Sequence, residues 1–207
     1  AGAVDGERKQ KLISHIKNPN EMWSAAGVSA VDMSASYYFD DGYWNGNVWM
    51  SHQWFVWKTM LDNGDTDFAF EIANRALEMW KEETDFTYFT YECFGIKTRR
   101  GGWFHNFGGL SAPICIWANA YYKPGTVTTG LDVWTDYQNV TDDSAEISFK
   151  YFGNNEKYSM IVTLSDKNSY KATLNGKEVE FKLRNGGSLE FTFDKDVDKG
   201  ILKIETL

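Results

Sequence analysis

Tyr-Tyr-Phe-Asp-Asp-Gly-Tyr-Trp-Asn-Gly-Asn-Val-Trp-Met-Ser-His-Gln-Trp-Phe-Val-Trp, residues 37–57, is the stretch on which the interpretation of the whole chain depends. Nine of its 21 residues are aromatic, and amides and carboxylates lie among the rings. A buried polar group without a partner costs about 1–3 kcal/mol, so an ordinary core segment excludes such groups. A sugar suits both kinds of group, because its C–H face packs on an indole and its hydroxyls need fixed hydrogen-bond partners. The stretch therefore indicates either a carbohydrate site or an aromatic helix core.

The composition argues against several classes of partner. The net charge is -8, whereas nucleic-acid contacts need clustered basic residues. No apolar run is long enough to span a bilayer. Cys93 and Cys115 lack the spacing of a metal site or a disulfide framework, and we expect both to be buried thiols. We therefore expect no nucleic acid, membrane, metal or cofactor as a partner, and the sequence leaves the compartment of this soluble chain open.

A change of composition near residue 134 indicates two domains. All nine Trp residues lie at or before Trp134, and short alternating runs rich in Lys, Glu, Asp, Thr and Gly follow. We predict an α plus β multidomain chain, with a helical domain over residues 1–127 and a β-sandwich domain over residues 128–207.

Hydrophobic periodicity predicts four helices in the first domain. They cover about residues 7–17, 47–61, 66–82 and 110–122. The connection between the second and third helices, Asp62-Asn63-Gly64-Asp65, is short, so these two helices are predicted to be antiparallel neighbours. Residues 20–42 and 84–107 are predicted as long loops, and the second is rich in aromatic residues. Helices whose loops gather at one end describe a helical toroid with a site at its mouth.

Beyond Gly125 the pattern alternates with a period of two, which indicates strands. Six are predicted, over residues 145–152, 158–164, 170–174, 178–183, 188–193 and 201–206. Asn- and Gly-rich turns separate them, and this spacing suggests an antiparallel β-sandwich. We expect the sandwich to brace the helical part, and the alternative is that it binds glycan itself.

Residues 42–49, Gly-Tyr-Trp-Asn-Gly-Asn-Val-Trp, resemble the Tyr-Trp-Arg-Gly-Pro-Ile/Val-Trp motif of glycoside hydrolase family 63 and its mannosylglycerate-hydrolase-like relatives, and more distantly trehalase. Further segments occur in the same order as in that family. They are residues 27–32, the hairpin 61–80, the glutamate segment 91–95 and the segment 102–108. The resemblance covers about residues 7–122.

This resemblance implies an (α/α)6 barrel that hydrolyses α-glycosidic bonds with inversion. In such enzymes two carboxylates roughly 6.5–9.5 Å apart act as general acid and general base. The glutamate that matches the family's base is Glu92. By the same resemblance Trp44, Trp49 and Trp103 would line the sugar site. The aromatic stretch itself adds Asp41, Tyr43, Asn45 and His52 as expected substrate-binding residues, with His52 on the helix face of Asn45 and Trp49, and His105 is added because it lies beside Trp103.

Two departures from the family pattern matter. The family's Arg is Asn45 here and its Pro is Asn47, so contacts to the sugar must differ. The family's general acid lies on a segment before everything in this chain, and four predicted helices stand where the barrel has twelve. We therefore expect the last third of a barrel plus the following sandwich. An upstream segment or partner chain would supply the acid and cover apolar faces of helices 7–17 and 66–82.

Simpler interpretations remain open at this stage. Glu92 taken alone suits a solvated loop acid, and Asp40 and Asp41 suit turn formers, although one of them is an alternative for the missing acid. Arg99 and Arg100 suit a solvated loop tip. The chain as a whole is either a glycosidase fragment or subunit acting on an oligosaccharide or small glycoside, or a non-catalytic carbohydrate-binding module. A phosphorylase is a weaker third hypothesis, and no anion-binding loop supports it.

Overall fold

The computed structural model describes residues 4–207, which form two compact units. The helical unit consists of residues 4–57 and 70–117, and the sandwich unit consists of residues 58–69 and 118–207. The tip of a helical hairpin thus belongs to the same unit as the sandwich strands. Residues 1–3, at the start of the predicted first domain, lie outside the described residues, and the boundary at 127/128 stays a prediction.

The four predicted helices are confirmed, with changes at their ends. The structure has α1 (Gly6–Lys17), α2 (Met50–Asp62), α3 (Thr66–Thr87), a short α4 (Gly108–Ser111) and α5 (Pro113–Tyr122). Asp65 caps α3 by accepting a hydrogen bond from the Phe68 N–H at 3.2 Å. The last predicted helix is divided, and α5 begins at Pro113, because proline suits the first position of a helix.

The burial of the helices corrects two expectations. On α3, Ile72, Ala76 and Met79 are buried within the chain, so the expectation of an uncovered apolar face on helix 66–82 is wrong for these residues, whereas Leu77 and Trp80 are half-buried. By contrast, α1 contains no buried residue. Cys93 is buried as expected, but Cys115 is exposed on α5. No helix within residues 4–207 is long and apolar enough to cross a membrane.

The prediction of a loop over residues 84–107 is wrong. After α3 the chain forms an antiparallel hairpin of β3 (Tyr91–Phe94) and β4 (Gly101–His105). The irregular segment 20–42 is confirmed apart from a minimal pair, β1 (Trp23–Ser24) and β2 (Gly27–Val28). The hairpin needs glycine at position 101, because a Cβ atom there would lie only 2.2 Å from the Tyr91 ring.

The sandwich is built from two antiparallel sheets. The five-stranded sheet has the order β10-β9-β13-β7-β6 and the four-stranded sheet has the order β11-β12-β8-β5. All six predicted strands are present, with the fourth divided in two, and two strands were missed, namely β5 and β6. The nine strands are β5 (Thr126–Thr129), β6 (Val133–Val140), β7 (Ala145–Tyr151), β8 (Lys157–Thr163), β9 (Tyr170–Leu174), β10 (Lys177–Glu178), β11 (Lys182–Leu183), β12 (Ser188–Asp194) and β13 (Lys199–Thr206).

Strand β8 is buried on both faces. Tyr158, Met160 and Val162 point into the core between the two sheets. The alternate residues Ile161 and Thr163 are also buried, although they lie outside that core. Thr163 Oγ1 donates a hydrogen bond to the Ala120 carbonyl at 2.6 Å, so the end of α5 covers part of the outer face of the four-stranded sheet.

Asp62, the last residue of α2, joins the helical hairpin tip to the strands of the sandwich unit. Its carboxylate is buried and accepts hydrogen bonds from the Leu131 N–H at 3.0 Å and the Asp132 N–H at 3.1 Å. A Cβ at Gly130 would lie 1.8 Å from Asp62 Oδ1, so glycine is required for this approach. Burial raises the pKa of Asp62, while the two backbone donors act in the opposite direction.

We predict that Asp62→Asn destabilises the chain by about 1–3 kcal/mol, because one of its two acceptor oxygens becomes an amide that opposes a buried N–H donor. The free energy of unfolding in urea measures this loss, and the slope with denaturant should stay unchanged. Asp166→Asn, at an exposed position, is the matched control. Equal stability of the two variants would contradict the prediction.

Candidate functional site

The motif segment, residues 42–49, is a tight turn and not the beginning of a helix. The Phe39 N–H donates to the Asn45 carbonyl at 3.0 Å, and the Asn47 N–H donates to the Gly42 carbonyl at 2.9 Å. A Cβ at Gly46 would lie 1.9 Å from the Phe39 carbonyl oxygen, so only glycine fits there. These bonds fix the direction in which the motif's aromatic side chains leave the backbone.

A reciprocal backbone pair fastens the motif segment to strand β3. The Val48 N–H donates to the Phe94 carbonyl at 2.8 Å, and the Phe94 N–H donates to the Val48 carbonyl at 2.9 Å. This pair also explains why α2 begins at Met50 and not at the predicted Asn47, because the backbone of Val48 is engaged outside the helix. The motif segment is therefore held against the strand that carries Glu92.

Glu92 lies in β3, is only 6% exposed and is hydrogen-bonded at one oxygen. The Tyr43 hydroxyl donates to Glu92 Oε1. This bond to Glu92 raises the pKa of Tyr43 to about 12, so the hydroxyl remains a donor at neutral pH. Glu92 Oε2 is buried and accepts no hydrogen bond from residues 4–207. The carboxylate is thus fixed at one oxygen and has unused acceptor capacity at the other.

Four aromatic rings form a cluster at the donor of this hydrogen bond. The Tyr43 ring makes edge contacts with Trp44, Trp49 and Trp103, at centroid distances of 5.2, 4.8 and 4.7 Å. Trp44 stacks on Trp49 with centroids 4.0 Å apart and planes 7° apart. Trp49 is buried, whereas Trp44 and Trp103 are 57% and 59% exposed. The cluster therefore presents two large exposed indoles around the tyrosine that holds Glu92, a surface suited to the C–H face of a sugar.

The position of Trp103 depends on an irregularity in the β3–β4 hairpin. Tyr91 pairs with His105 and Cys93 pairs with Gly102, so β4 contains one residue more than β3 over this interval. Trp103 lies at this irregularity with φ 65°, in the left-handed region that a bulky residue rarely adopts. Such bulges redirect side chains and are common beside active sites.

The two predicted histidines lie in different surroundings. The His52 ring, on α2, is 5.9 Å from the Trp44 ring, and burial lowers its pKa. A neutral imidazole with donor and acceptor atoms therefore borders the exposed indole. The His105 ring is exposed and lies 4.7 Å from the Phe89 ring. His105, the last residue of β4, thus contacts Phe89, which precedes β3. Within the described residues its ring makes no contact with the Tyr43 cluster.

The polar residues at the turn have structural contacts. Asn45 Nδ2 donates to the Tyr37 carbonyl at 2.7 Å, so this amide holds the turn. Asp41 is exposed. Asp40 forms an ion pair with Lys97, which lowers its pKa together with a hydrogen bond from a tyrosine hydroxyl. A carboxylate held in its ionised form is poorly suited to donate a proton, so Asp40 makes a weak substitute for the missing acid.

Sequence reasoning did not identify the contact between Asn47 and Cys93. Asn47 is 3% exposed, and its Nδ2 lies 3.2 Å from Cys93 Sγ. Its Oδ1 is buried without a hydrogen-bond partner in residues 4–207. Burial raises the pKa of the Cys93 thiol to about 11, so this cysteine is a packed thiol and not a nucleophile. The only signal in the sequence was that Asn47 replaces the family's Pro.

Comparison with known protein families gives a match within the helical part of the chain. Residues 1–100 match the family model described as a mannosylglycerate hydrolase MGH1-like glycoside hydrolase domain. The predicted resemblance is confirmed over this range. The matched range includes the motif segment, Glu92 and the backbone pair Val48–Phe94. A comparison with curated proteins gives no match.

Two solved structures from Thermus thermophilus are similar at low identity. One is an uncharacterized conserved protein, with 21% identity, a TM-score of 0.49, and coverage of 56% of this chain and 28% of that chain. The other is a GH63 mannosylglycerate hydrolase in complex with glucose, with 21% identity, a TM-score of 0.47, and coverage of 56% and 26%. The present chain thus spans little more than a quarter of either protein, and likenesses this distant transfer no function.

We predict that Tyr43 and Glu92 are energetically coupled. Tyr43→Phe keeps the ring contacts but removes the only donor that residues 4–207 provide to the Glu92 side chain. Tyr43→Phe should lower the free energy of unfolding by about 0.5–1.5 kcal/mol. In a Glu92→Leu background, which has no acceptor for the hydroxyl, the same Tyr43→Phe change should cost less. Urea unfolding of the four proteins measures the coupling. Additive losses would show that the two side chains do not interact in solution.

Proposed function

We propose that this chain is part of an inverting glycoside hydrolase for α-glycosidic bonds, in which Glu92 is the general base. One observation carries the proposal. Glu92 is a buried carboxylate with one oxygen fixed by Tyr43 and the other without a donor in residues 4–207, beside a cluster with two exposed indoles. The match of residues 1–100 to a glycoside hydrolase domain supports the same assignment.

The unequal hydrogen bonding of the two Glu92 oxygens suits a general base. The Tyr43 bond orients Glu92 at Oε1, and Oε2 keeps the lone pairs that accept a proton from water. The water oxygen attacks the anomeric carbon as its proton passes to Glu92, and the glycosidic oxygen leaves with a proton from a second carboxylic acid on the opposite face. Trp44 and Trp103 would hold the sugar ring by its C–H face while this occurs.

We propose that the second carboxyl group comes from an upstream segment or a partner chain. Asp40 is committed to Lys97 and Asp41 is exposed, so neither sequence alternative has the protected setting that keeps a carboxylic acid protonated. In the family that the motifs resemble, the acid lies before these motifs. The expected result is that the 207-residue chain alone does not hydrolyse α-linked disaccharides, and that the complete enzyme does.

We predict that Glu92→Gln in the complete enzyme lowers kcat by about 10²–10⁴-fold, the usual contribution of general base catalysis. Initial rates on a panel of α-linked disaccharides measure the loss, and proton NMR of the first-formed product should show the β-anomer in the wild type. Glu78→Gln is the matched control, because Glu78 is an exposed carboxylate on α3. Retained activity in Glu92→Gln would remove this residue from the mechanism.

A non-catalytic carbohydrate-binding module is the second candidate function. The exposure of Trp44, which rests flat on the buried Trp49, favours it, because a platform of this kind binds sugar without any acid or base. Calorimetry on the same sugars separates the two functions. Binding that is lost in Trp44→Ala but unchanged in Glu92→Gln, with no turnover in the complete protein, would favour the module.

A further inference from the structure

Two exposed aromatic rings stand on the outer face of the five-stranded sheet. Trp134 and Tyr137 lie on its edge strand β6 and are 65% and 53% exposed. A register shift between Thr135 and Tyr137 places Trp134 opposite Lys150 and Tyr137 opposite Ser148. Because these partners are two residues apart on β7, the two rings share one face of the sheet and are about 7 Å apart along the strand.

A shallow groove of about 520 Å³ lies on the same sheet, and its lining includes Lys150 and Ser148, the β7 partners of Trp134 and Tyr137. Across strands β6, β7 and β13, Trp134 is followed by Lys150 and then Lys199, and Tyr137 is followed by Ser148 and then Ile201. Each ring therefore lies at the end of a row of cross-strand neighbours that leads into the groove. The volume is within the usual range for a small-molecule site. Its polar lining includes Asp136, Ser148, Lys150, Asn175, Asp198 and Lys199.

The chemistry of the groove favours a neutral ligand with many hydroxyl groups. Three carboxylates (Asp136, Asp196 and Asp198) and two ammonium groups (Lys150 and Lys199) line it, and Asp136 is paired with Lys150 at 2.9 Å, so the net charge of the lining is small. Asn175 is held in place because its Oδ1 accepts a hydrogen bond from the Ile201 N–H at 2.9 Å. Donors and acceptors beside flat rings match the hydroxyls and the C–H faces of a sugar.

The rings have no role in the packing of the sandwich. The core between the sheets is formed by other residues, and neither Trp134 nor Tyr137 belongs to it. Trp134 is also the last tryptophan of the chain, and runs rich in Lys, Glu, Asp, Thr and Gly follow it. A large aromatic side chain that remains mostly exposed on a regular strand is typical of an interaction surface.

We propose that Trp134, Tyr137 and the adjoining groove bind a neutral oligosaccharide, which gives the sandwich a glycan site of its own. This site does not depend on Glu92 or on the proposed hydrolase activity. The two rings would stack on sugar rings along the strand, and the groove lining would hold their hydroxyls.

Titration of the 207-residue chain with maltotriose, cellotriose and α-1,6-mannotriose tests this proposal, with the tryptophan indole signals followed by NMR. At least one trisaccharide should shift the Trp134 indole signal, which is assigned by its disappearance in Trp134→Ala. Trp134→Ala and Tyr137→Ala should each weaken that binding by about tenfold or more, equivalent to about 1.4 kcal/mol. Trp134→Tyr keeps a ring and should retain most of the affinity.

Two control variants make the result specific. Phe152→Ala removes another exposed aromatic of the sandwich unit, outside the two rows, and should not change the binding. Trp44→Ala removes the platform near Glu92 and should leave the Trp134 shifts intact. A failure of the sandwich site can therefore be distinguished from a failure of the proposed hydrolase function. The proposal would be overturned if no trisaccharide moved the Trp134 signal, or if Phe152→Ala weakened binding as much as Trp134→Ala.

Discussion

The candidate site depends on the two backbone hydrogen bonds between Val48 and Phe94. They join the motif segment, residues 42–49, to a strand more than 40 residues further along the chain. Neither segment forms a site without the other, because one carries Tyr43 and Trp44 and the other carries Glu92. Backbone pairing fixes the register between them, so Tyr43 reaches Glu92 without depending on any single side-chain contact.

Two buried glutamates at the β3–β4 hairpin differ in how fully their carboxylates are hydrogen-bonded. Glu83 accepts hydrogen bonds from Arg100 Nε at 2.6 Å and from the Gly101 N–H at 3.0 Å. Although burial alone would raise the pKa of Glu83, these hydrogen bonds and the Arg100 charge hold it below its usual value. Glu92 is equally hidden from solvent but has a single neutral donor. Glu83 anchors the hairpin to α3, whereas Glu92 retains the capacity to bind water or a hydroxyl group.

The sequence predicts those parts of the fold that repeat within a short window. The period of α3 and the alternation of β7 and β12 are regular, and each of these elements was predicted. The β3–β4 hairpin was missed because its register shift breaks the alternation and because Gly101 and Gly102 resemble loop residues. Strand β6 was missed for a similar reason, since its own register shift falls between Thr135 and Tyr137.

The candidate site could be predicted only in part. The resemblance singled out Glu92 and three tryptophans, but no sequence pattern indicates that Tyr43 is the donor to Glu92 across 49 residues. Pairings of this kind depend on the register of distant backbone segments, which local periodicity does not determine. The same limit applies to Asn47, whose burial against Cys93 follows from the Val48–Phe94 pair and not from its neighbours in sequence.

The conformation of Trp103 supports the functional interpretation of the cluster. A non-glycine residue in the left-handed region costs on the order of 1–3 kcal/mol, and the surrounding structure has to maintain it. Trp103 gains little from burial in return, because 59% of its surface remains exposed. A strained, exposed indole placed against Tyr43 supports the proposed sugar-binding role of the cluster, and the anchored ends of the hairpin provide the rigidity that this strain requires.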